Sequence, residues 1–262
     1  MVSMLYGAVA GDIIGSRFEH HSHQSTNFEL FTPDCRFTDD TVLTAAVASA
    51  VLTGRSYGAE ILRFGRAYPN AGYGGKFKQW LAAEKPQPYR SFGNGSSMRA
   101  SPVGWAFDSI DEVLAEAQRS AEPTHNHPEG VKGAQAVALA IFLARRGGTK
   151  PEIRREIETR IGYQLNRSTD EIRPNYSFDV TCQGSVPEAL ICFLEASSVE
   201  EAVRLAVSLG GDADTQASIA GAVAEAFYGG VPSAWQESIR TYLTPDLNQV
   251  LDAFHDRFNL PA

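Results

Sequence analysis

The chain has 262 residues, 43% apolar and 21% charged, which is the composition of an ordinary folded protein in solution. A net charge of −8 argues against a broad nucleic-acid surface, which needs clusters of Lys and Arg, and no apolar run reaches the ~20 residues of a membrane-spanning helix. The three cysteines, Cys35, Cys182 and Cys192, fit neither a disulfide framework nor a cysteine zinc site, and this favours a reducing, cytoplasmic location.

The N-terminal segment, MVSMLYGAVAGDIIG, has no Lys or Arg ahead of its apolar stretch, and Asp12 interrupts it. It therefore predicts a buried first helix rather than a signal peptide. Further along, small and apolar residues recur in segments bounded by caps and glycines, which predicts helices with buried faces. These helices are predicted at residues 41–52, closed by Gly54; at 133–146; at 187–196, with Pro187 in the first turn; at 199–210, capped by Ser198; and at 217–228.

Few segments alternate between apolar and polar residues as a strand does. A β-turn or short hairpin is expected near residues 70–75, and the polar stretch at about 166–175 is expected to be a loop. The sequence therefore predicts an all-α, single-domain helical bundle over residues 1–262.

Two acidic clusters each stand directly before an apolar helix: residues 38–41 (TDDT) and residues 212–215 (DADT). One interpretation is that each cluster caps its helix, since Asp and Thr accept hydrogen bonds from first-turn N–H groups. A cap needs only one acid, however, and the remaining acids would repel one another at the edge of an apolar core. Carboxylates and hydroxyls in such clusters suit hard cations such as Mg²⁺ or Mn²⁺, and two clusters together suit a pair of them.

Two further polar segments are candidates for ligand contact. Residues 93–98 (GNGSSM) expose N–H groups and hydroxyls that suit a diphosphate, although ordinary turns share this composition. In residues 124–128 (THNHP) the His-x-His pair lacks a third zinc ligand, so we expect a helix-entry loop with one His facing a ligand. Asp12 and Glu19, near the end of the first helix, are interpreted as structural caps or ion-pair partners, with an acid beside a metal centre as the alternative for Glu19.

Taken together and in order, these segments resemble the ADP-ribosylglycohydrolase family, from near the N-terminus to about residue 230. The matching segments are GAVAGDIIGSRFE (7–19), FTDDT (37–41), GYGG (72–75), GNGSSMR (93–99), THNHP (124–128), SVPEAL (185–190) and LGGDADTQASIAGA (209–222). The resemblance implies an all-α, orthogonal helical bundle with two divalent cations at the bottom of a cleft, Mg²⁺ as the first expectation and Mn²⁺ as the second.

Carried over position by position, the resemblance also implies roles for individual residues. The implied metal ligands are Thr38, Asp39, Asp40, Asp212, Asp214 and Thr215. The implied substrate-binding residues are Gly74, Gly93, Asn94, Gly95, Ser96, Ser97, Met98 and His125. The implied catalytic residues are Glu19 and Asp39.

The resulting hypothesis is a metal-dependent hydrolase that cleaves the N- or O-glycosidic bond between ADP-ribose and a modified protein side chain or small molecule. Water bound by the metals, or water activated by Glu19 or Asp39, attacks the anomeric carbon, and the surrounding carboxylates stabilise the positive charge of the sugar ring. An acid protonates the leaving group. The acceptor stays open among arginine, serine, an acyl ester and a nucleotide derivative, since residues 70–78 contain no acid to receive a guanidinium. The alternatives are a two-metal hydrolase of phosphoesters or nucleotides and a non-catalytic ADP-ribose-binding protein.

Overall fold

The computed structural model describes residues 3–258, and over this span the chain consists of helices and the segments that connect them. No β-sheet forms among these residues; one isolated antiparallel bridge joins Gly93 to Thr181. Within the same span, no helix is long and apolar enough to cross a membrane. The helices are α1 (Tyr6–Gly15), α2 (Asp39–Thr53), α3 (Tyr57–Ala67), α4 (Gly75–Ala82), α5 (Ser101–Ala106), α6 (Ile110–Ala121), α7 (Pro128–Arg145), α8 (Lys150–Arg160), α9 (Thr169–Ile172), α10 (Cys182–Glu195), α11 (Val199–Ser208), α12 (Ala213–Tyr228), α13 (Ser233–Tyr242) and α14 (Pro245–Phe258), with short 3₁₀ turns at Asn94–Ser96 and Arg173–Asn175.

Helix α1 packs backbone to backbone against α12, and every residue of α1 is buried. A Cβ atom at Gly11 would lie 2.1 Å from the carbonyl oxygen of Ala217, and one at Gly15 would lie 2.5 Å from the Cα atom of Asp214. Only glycine permits an approach this close. The glycines of α1 therefore bring the end of α1 against the start of α12, where the second acidic cluster lies.

Helix α2 positions the first acidic cluster. It is buried continuously from Asp40 to Ala50, as expected for an Ala-rich helix that is apolar nearly all round. Thr38 is its N-cap, and Gly54 ends it in the left-handed conformation with φ 69°. Helices α1, α3, α5 and α14 pack against α2, so the helix is held on several sides.

Helices α7 and α12 organise the rest of the bundle. Helices α10 and α11 pack on α12, α5 and α6 pack on α7, and α7 also contacts α12. The buried apolar side chains of these helices join those of α1 and α2 in one continuous core. This core fixes the starts of α2 and α12 relative to each other, although the two helices are far apart in sequence.

The all-α prediction is confirmed, and so are the buried first helix, the Gly54 stop and the Ser198 cap, whose hydroxyl accepts a hydrogen bond from a first-turn N–H. The β-turn predicted near residues 70–75, with a short hairpin as its alternative, is also present: the N–H of Ala71 donates to the carbonyl oxygen of Tyr68 at 3.2 Å. Two local predictions are wrong. Helix α10 begins at Cys182 rather than near Pro187, because Thr181 supplies the cap and the proline lies inside the helix. The expected loop at 166–175 contains α9, because Ser168 and Glu171 form a capping box that starts this helix.

Candidate active site

One cavity of about 430 Å³ brings together most of the residues that the sequence singled out. The starts of α2, α4 and α12 open onto it, as does the segment that leads into α7. Irregular segments around residues 89–98 and 178–180 complete its walls. The predicted site residues that line it are Glu19, Asp39, Asp40, Gly74, Gly93, Asn94, Gly95, Met98, His125, Asp212, Asp214 and Thr215.

Asp12 of α1 fixes the first acidic cluster without lining the cavity. Its carboxylate accepts hydrogen bonds from the backbone N–H groups of Thr38 at 2.9 Å and Thr41 at 3.1 Å, and from both threonine hydroxyls, that of Thr38 at 2.6 Å. These bonds satisfy N–H groups at the start of α2 that have no partner within the helix. Asp39 and Asp40 are therefore not needed as caps, and their carboxylates are left for the cavity.

The second acidic cluster starts α12 after a tight turn. Gly210 has φ 76°, and a Cβ atom at Gly211 would lie 2.3 Å from an aromatic ring, so the turn requires glycine at both positions. The Asp212 carboxylate accepts a hydrogen bond from the side-chain amide of Asn94 at 2.7 Å. This bond ties the start of α12 to the glycine-rich segment on the neighbouring wall.

The two clusters meet inside the cavity. The hydroxyl of Thr215 donates to the carboxylate of Asp40 over 3.3 Å, which links α12 to α2. Two groups of three carboxylates each have one oxygen per residue within 4.8 Å of the others: Asp12, Asp40 and Asp214, and Glu19, Asp212 and Asp214. Asp214 belongs to both groups, as a ligand shared between paired cations would.

The donor set fits hard divalent cations. These groups offer carboxylate oxygens without a thiolate or imidazole, which suits Mg²⁺ or Mn²⁺ rather than zinc. Asp40 Oδ1 is buried and has no hydrogen-bond partner within residues 3–258, although buried polar atoms are normally paired. A cation would satisfy this oxygen. Asp12 is the weakest ligand of its group, because its oxygens already accept four hydrogen bonds.

Burial and mutual repulsion favour the protonated form of these carboxyl groups. Burial, followed by the charge of Asp12, raises the pKa of Asp39 to about 8. The same two causes raise the pKa of Asp40 well above its usual value, and burial together with the neighbouring carboxylates does so for Asp214. Burial also raises the pKa of Glu19. Keeping such a set ionised at neutral pH requires a nearby positive charge, which a divalent cation supplies.

The glycine-rich segment presents backbone rather than hydroxyl groups to the cavity. Ser96 Oγ donates to a backbone carbonyl of α7 at 2.6 Å, and Ser97 Oγ lies 3.2 Å from a buried thiol. Both hydroxyls are thus engaged away from the cavity. Gly95 does face it, and a Cβ atom there would lie 3.2 Å from His125 Nε2. A ligand can therefore approach this wall closely because Gly95 has no side chain.

Each polar residue of the THNHP segment has a different role. His125 is buried and lines the cavity, and its Nδ1 lies 2.6 Å from the hydroxyl of Thr124. The side-chain oxygen of Asn126 accepts a hydrogen bond at 2.9 Å from the N–H of Arg90, a residue with φ 53°. His127 caps α7 with its ring nitrogen. The expected helix-entry loop with one inward-facing histidine is therefore present.

Arg99, the last residue of the GNGSSMR segment, is fully buried against the cavity wall. Its Nη2 donates to Thr124 Oγ1 at 2.9 Å and to a carbonyl oxygen at 3.2 Å, while Nε and Nη1 find no partner among the described residues. Burial lowers the pKa of Arg99 to about 10, so the group stays charged at neutral pH. Burial and this charge lower the pKa of His125 well below its usual value. The cavity lining therefore contains a buried cation as well as the cluster of carboxylates.

Three predicted site residues do not line the cavity: Thr38, which donates to Asp12 and caps α2, and Ser96 and Ser97. Sequence reasoning also missed part of the wall. The missed residues are Leu43, Gly72, Gly75, Lys76, Phe77, Tyr89, Ser91, Arg99, Phe178 and Val180. Several of them adjoin the GYGG and GNGSSM motifs, and that proximity is a signal in the sequence. Tyr89 and Phe178 come from irregular segments with no periodic signal, and only tertiary structure brings them to the site.

Comparison with known proteins identifies the family. A model of the ADP-ribosylglycohydrolase family matches residues 1–261. Human ADP-ribosylhydrolase ARH3 is 28% identical over 93% of this chain and 90% of that protein. ADP-ribosylarginine hydrolase Tri1 of Pseudomonas putida is 31% identical over 56% of this chain and 42% of that protein.

A solved structure described as an ADP-ribosylglycohydrolase-related protein complex superimposes with a TM-score of 0.74. It covers 98% of this chain and 96% of its own at 24% identity, and so has the same fold. The family match extends over nearly the whole chain and includes every segment that lines the cavity. The chain therefore belongs to the ADP-ribosylglycohydrolase family, a family of hydrolases.

Proposed function

We propose that the chain, working as a single domain over residues 1–262, is a metal-dependent hydrolase that releases ADP-ribose from a modified acceptor. The charges around the cavity carry this proposal: the carboxylates of Asp40, Asp212 and Asp214 line it, and so does the buried cation of Arg99, which lies behind His125. ADP-ribose has matching groups, with an anionic diphosphate and a terminal ribose that offers uncharged hydroxyls. The likeness to ADP-ribosylhydrolases over about nine-tenths of both chains supports the same substrate class.

The cations belong beside these carboxylates. The residues that would hold them are Asp39, Asp40, Asp212, Asp214 and Thr215, with Thr38 shaping the set through its bond to Asp12. Two divalent cations there would orient the ribose hydroxyls and lower the pKa of the attacking water. Mg²⁺ is the first candidate and Mn²⁺ the second, because both favour carboxylate oxygens.

Glu19 is placed to move the proton in the hydrolysis. It is half-buried just beyond α1, with a carboxylate oxygen within 4.8 Å of those of Asp212 and Asp214, and burial raises its pKa. Such a carboxyl group can take a proton from water as the water oxygen bonds to the anomeric carbon, and can return it to the departing acceptor. Asp39, whose pKa burial raises to about 8, is the second candidate for this role. The other carboxylates stabilise the positive charge on the sugar ring while the bond to the acceptor breaks.

The wall beside the carboxylates is the place for the acceptor. A Cβ atom at Gly72 would lie 3.2 Å from an Asp39 carboxylate oxygen, so the segment that includes Gly74 borders the reacting end of the cavity. Residues 70–78 contain no acid, and Lys76 adds a positive charge there. A guanidinium-linked acceptor has no partner on this wall. We therefore expect oxygen-linked acceptors to be cleaved faster than arginine-linked ones.

The same cavity suits two other functions less well. A two-metal hydrolase of phosphoesters or nucleotides would use the same ligands, but it would release phosphate or AMP instead of ADP-ribose. A non-catalytic ADP-ribose-binding protein would need the buried cation alone. It would have no use for Asp40, Asp212 and Asp214, whose burial as a set of like charges is costly.

Turnover of matched peptides carrying ADP-ribose on arginine or on serine separates these functions. The reaction is run with Mg²⁺, with Mn²⁺ and with EDTA, and free ADP-ribose, AMP and phosphate are separated by chromatography. We expect metal-dependent release of ADP-ribose that is lost in Asp214→Ala. Full turnover by that variant would contradict the metal assignment, release of AMP would favour the phosphoester hydrolase, and tight binding of ADP-ribose without release from either peptide would favour the binding protein.

A further inference from the structure

A chain of two hydrogen bonds ends at the histidine that faces the cavity. Arg99 Nη2 lies 2.9 Å from Thr124 Oγ1, and Thr124 Oγ1 lies 2.6 Å from His125 Nδ1. A guanidinium group can only donate, so the threonine oxygen accepts from Arg99. Among residues 3–258 the Thr124 hydroxyl finds no other acceptor, so its single hydrogen is directed to His125, and Nδ1 of that ring accepts it.

The other ring nitrogen of His125 points to the cavity. Nε2 lies 3.2 Å from where a Cβ atom at Gly95 would stand and 3.8 Å from the corresponding position at Gly93. No atom of the described residues 3–258 pairs with Nε2. Both flanking positions are glycine, so the nitrogen is reachable by a ligand that follows the backbone of this segment.

Arg99 also controls the charge of the ring. The guanidinium is fully buried, and two of its nitrogens lack hydrogen-bond partners within the described span, so its charge is poorly screened. Burial and this charge lower the pKa of His125 well below its usual value. A neutral imidazole carries one ring proton. Since Nδ1 accepts from Thr124, this proton is on Nε2.

We propose that Arg99 and Thr124 are positioning residues that hold His125 as the Nε2–H tautomer, so that the ring donates a hydrogen bond to an oxygen of the substrate's diphosphate. The identity of that ligand rests on the proposed function, whereas the tautomer follows from the protein alone. Without the Thr124 hydroxyl, Nδ1 loses its donor and the ring proton is shared between the two nitrogens. The lone pair of Nε2 then faces an anionic oxygen for part of the time.

The tautomer can be measured in the metal-free, ligand-free protein. Long-range ¹H–¹⁵N correlation spectra of histidine-labelled wild type should show His125 with an unprotonated Nδ1 and a protonated Nε2 from about pH 6 to about pH 8. A protonated Nδ1, or a doubly protonated ring in this range, would overturn the proposal. Thr124→Val should give a mixture of tautomers, and Thr124→Ser, which keeps the hydroxyl, should restore the wild-type spectrum.

Calorimetric binding of ADP-ribose measures the consequence for the ligand. Thr124→Val should bind about twofold more weakly than wild type if its two tautomers are equally populated, because only the Nε2–H form makes the hydrogen bond, while Thr124→Ser should bind as wild type does. Equal binding by a folded Thr124→Val would refute the role of the relay. If Thr124→Val fails to fold, the wild-type spectrum still decides the tautomer.

This experiment is independent of turnover. The expected tautomer and binding changes in a protein that hydrolyses no ADP-ribosyl peptide would leave the inference standing and remove the proposed function. Efficient turnover by a protein whose His125 carries its proton on Nδ1 would leave the proposed function standing and refute the inference about the tautomer.

Discussion

Replacing Asp214 by Asn removes one charge from the centre of the carboxylate cluster at almost constant volume. Asp214 is buried and shared between the two candidate cation groups, and its Oδ1 accepts a hydrogen bond at 3.0 Å from the N–H of Thr215, which the asparagine oxygen can also accept. Without cations, Asp214→Asn should therefore be more stable than wild type. With Mg²⁺ the order should reverse, because the variant has lost the ligand common to both groups.

The size of both effects follows from the geometry. The carboxylate oxygens within each group lie at most 4.8 Å apart, and two like charges at that distance repel by about 3 kcal/mol at an effective dielectric constant of ~20. Partial protonation of the wild-type carboxyl groups makes the actual repulsion smaller. We therefore expect a gain of about 1–3 kcal/mol for the metal-free variant. A cation at a hundred times its Kd stabilises wild type by about 2.7 kcal/mol per site, or roughly 5–10 °C in Tm.

Thermal unfolding in EDTA and in Mg²⁺ measures both effects in one series. Asp108→Asn is the matched control, because Asp108 is 80% exposed and forms a surface ion pair with Arg145. It should change stability by less than about 0.5 kcal/mol and keep the full Mg²⁺ shift. A metal-free Asp214→Asn that is less stable than wild type, together with an undiminished Mg²⁺ shift, would refute the cluster as the cation site.

Two further substitutions, with one control, probe the packing of α1 against α12. Burial raises the pKa of Glu225 to about 7, so the stabilising contribution of this group is present below about pH 4.5 and is lost as pH rises through 7. Glu225→Gln should remove about 3 kcal/mol of this pH dependence from the free energy of unfolding. An unchanged dependence of the unfolding free energy on pH would contradict the assignment. Gly11→Ala would place a methyl group 2.1 Å from the backbone of α12 and should cost about 3 kcal/mol or more, visible as a Tm lowered by about 10 °C. Gly58→Ala is the control, because its methyl group would lie 3.4 Å from a proline side chain, an ordinary contact, and it should stay within about 1 kcal/mol of wild type. Equal losses for both variants would disprove the close packing of α1.

The local part of the fold was predictable because its signals are local. Small residues with helical spacing, the Thr38 and Ser198 caps and the Gly54 stop are properties of short segments, and the corresponding helices are present. The boundary of α10 was misjudged because proline favours a first turn, and here Thr181 caps the helix earlier. The cap and the proline are both local signals, and tertiary packing decides which of them starts the helix.

The site was predictable where a residue's chemistry is itself the signal. The acidic clusters at the starts of α2 and α12 converge on one cavity, as their composition suggested. Ser96 and Ser97 show the limit of such reasoning, because a hydroxyl faces either a ligand or the protein and only packing determines which. The functions of Asp12 and Arg99 depend on partners distant in sequence, such as Thr38 for Asp12, and no spacing rule reveals them.

The most direct test of the central claim is the release of free ADP-ribose from an oxygen-linked ADP-ribosyl peptide by wild-type protein, first stripped with EDTA and then titrated with Mg²⁺. The account predicts no release in EDTA and a return of turnover as Mg²⁺ is added, with no release at any Mg²⁺ concentration by Asp214→Ala. Turnover that persists in EDTA, or that survives in the variant, would contradict it.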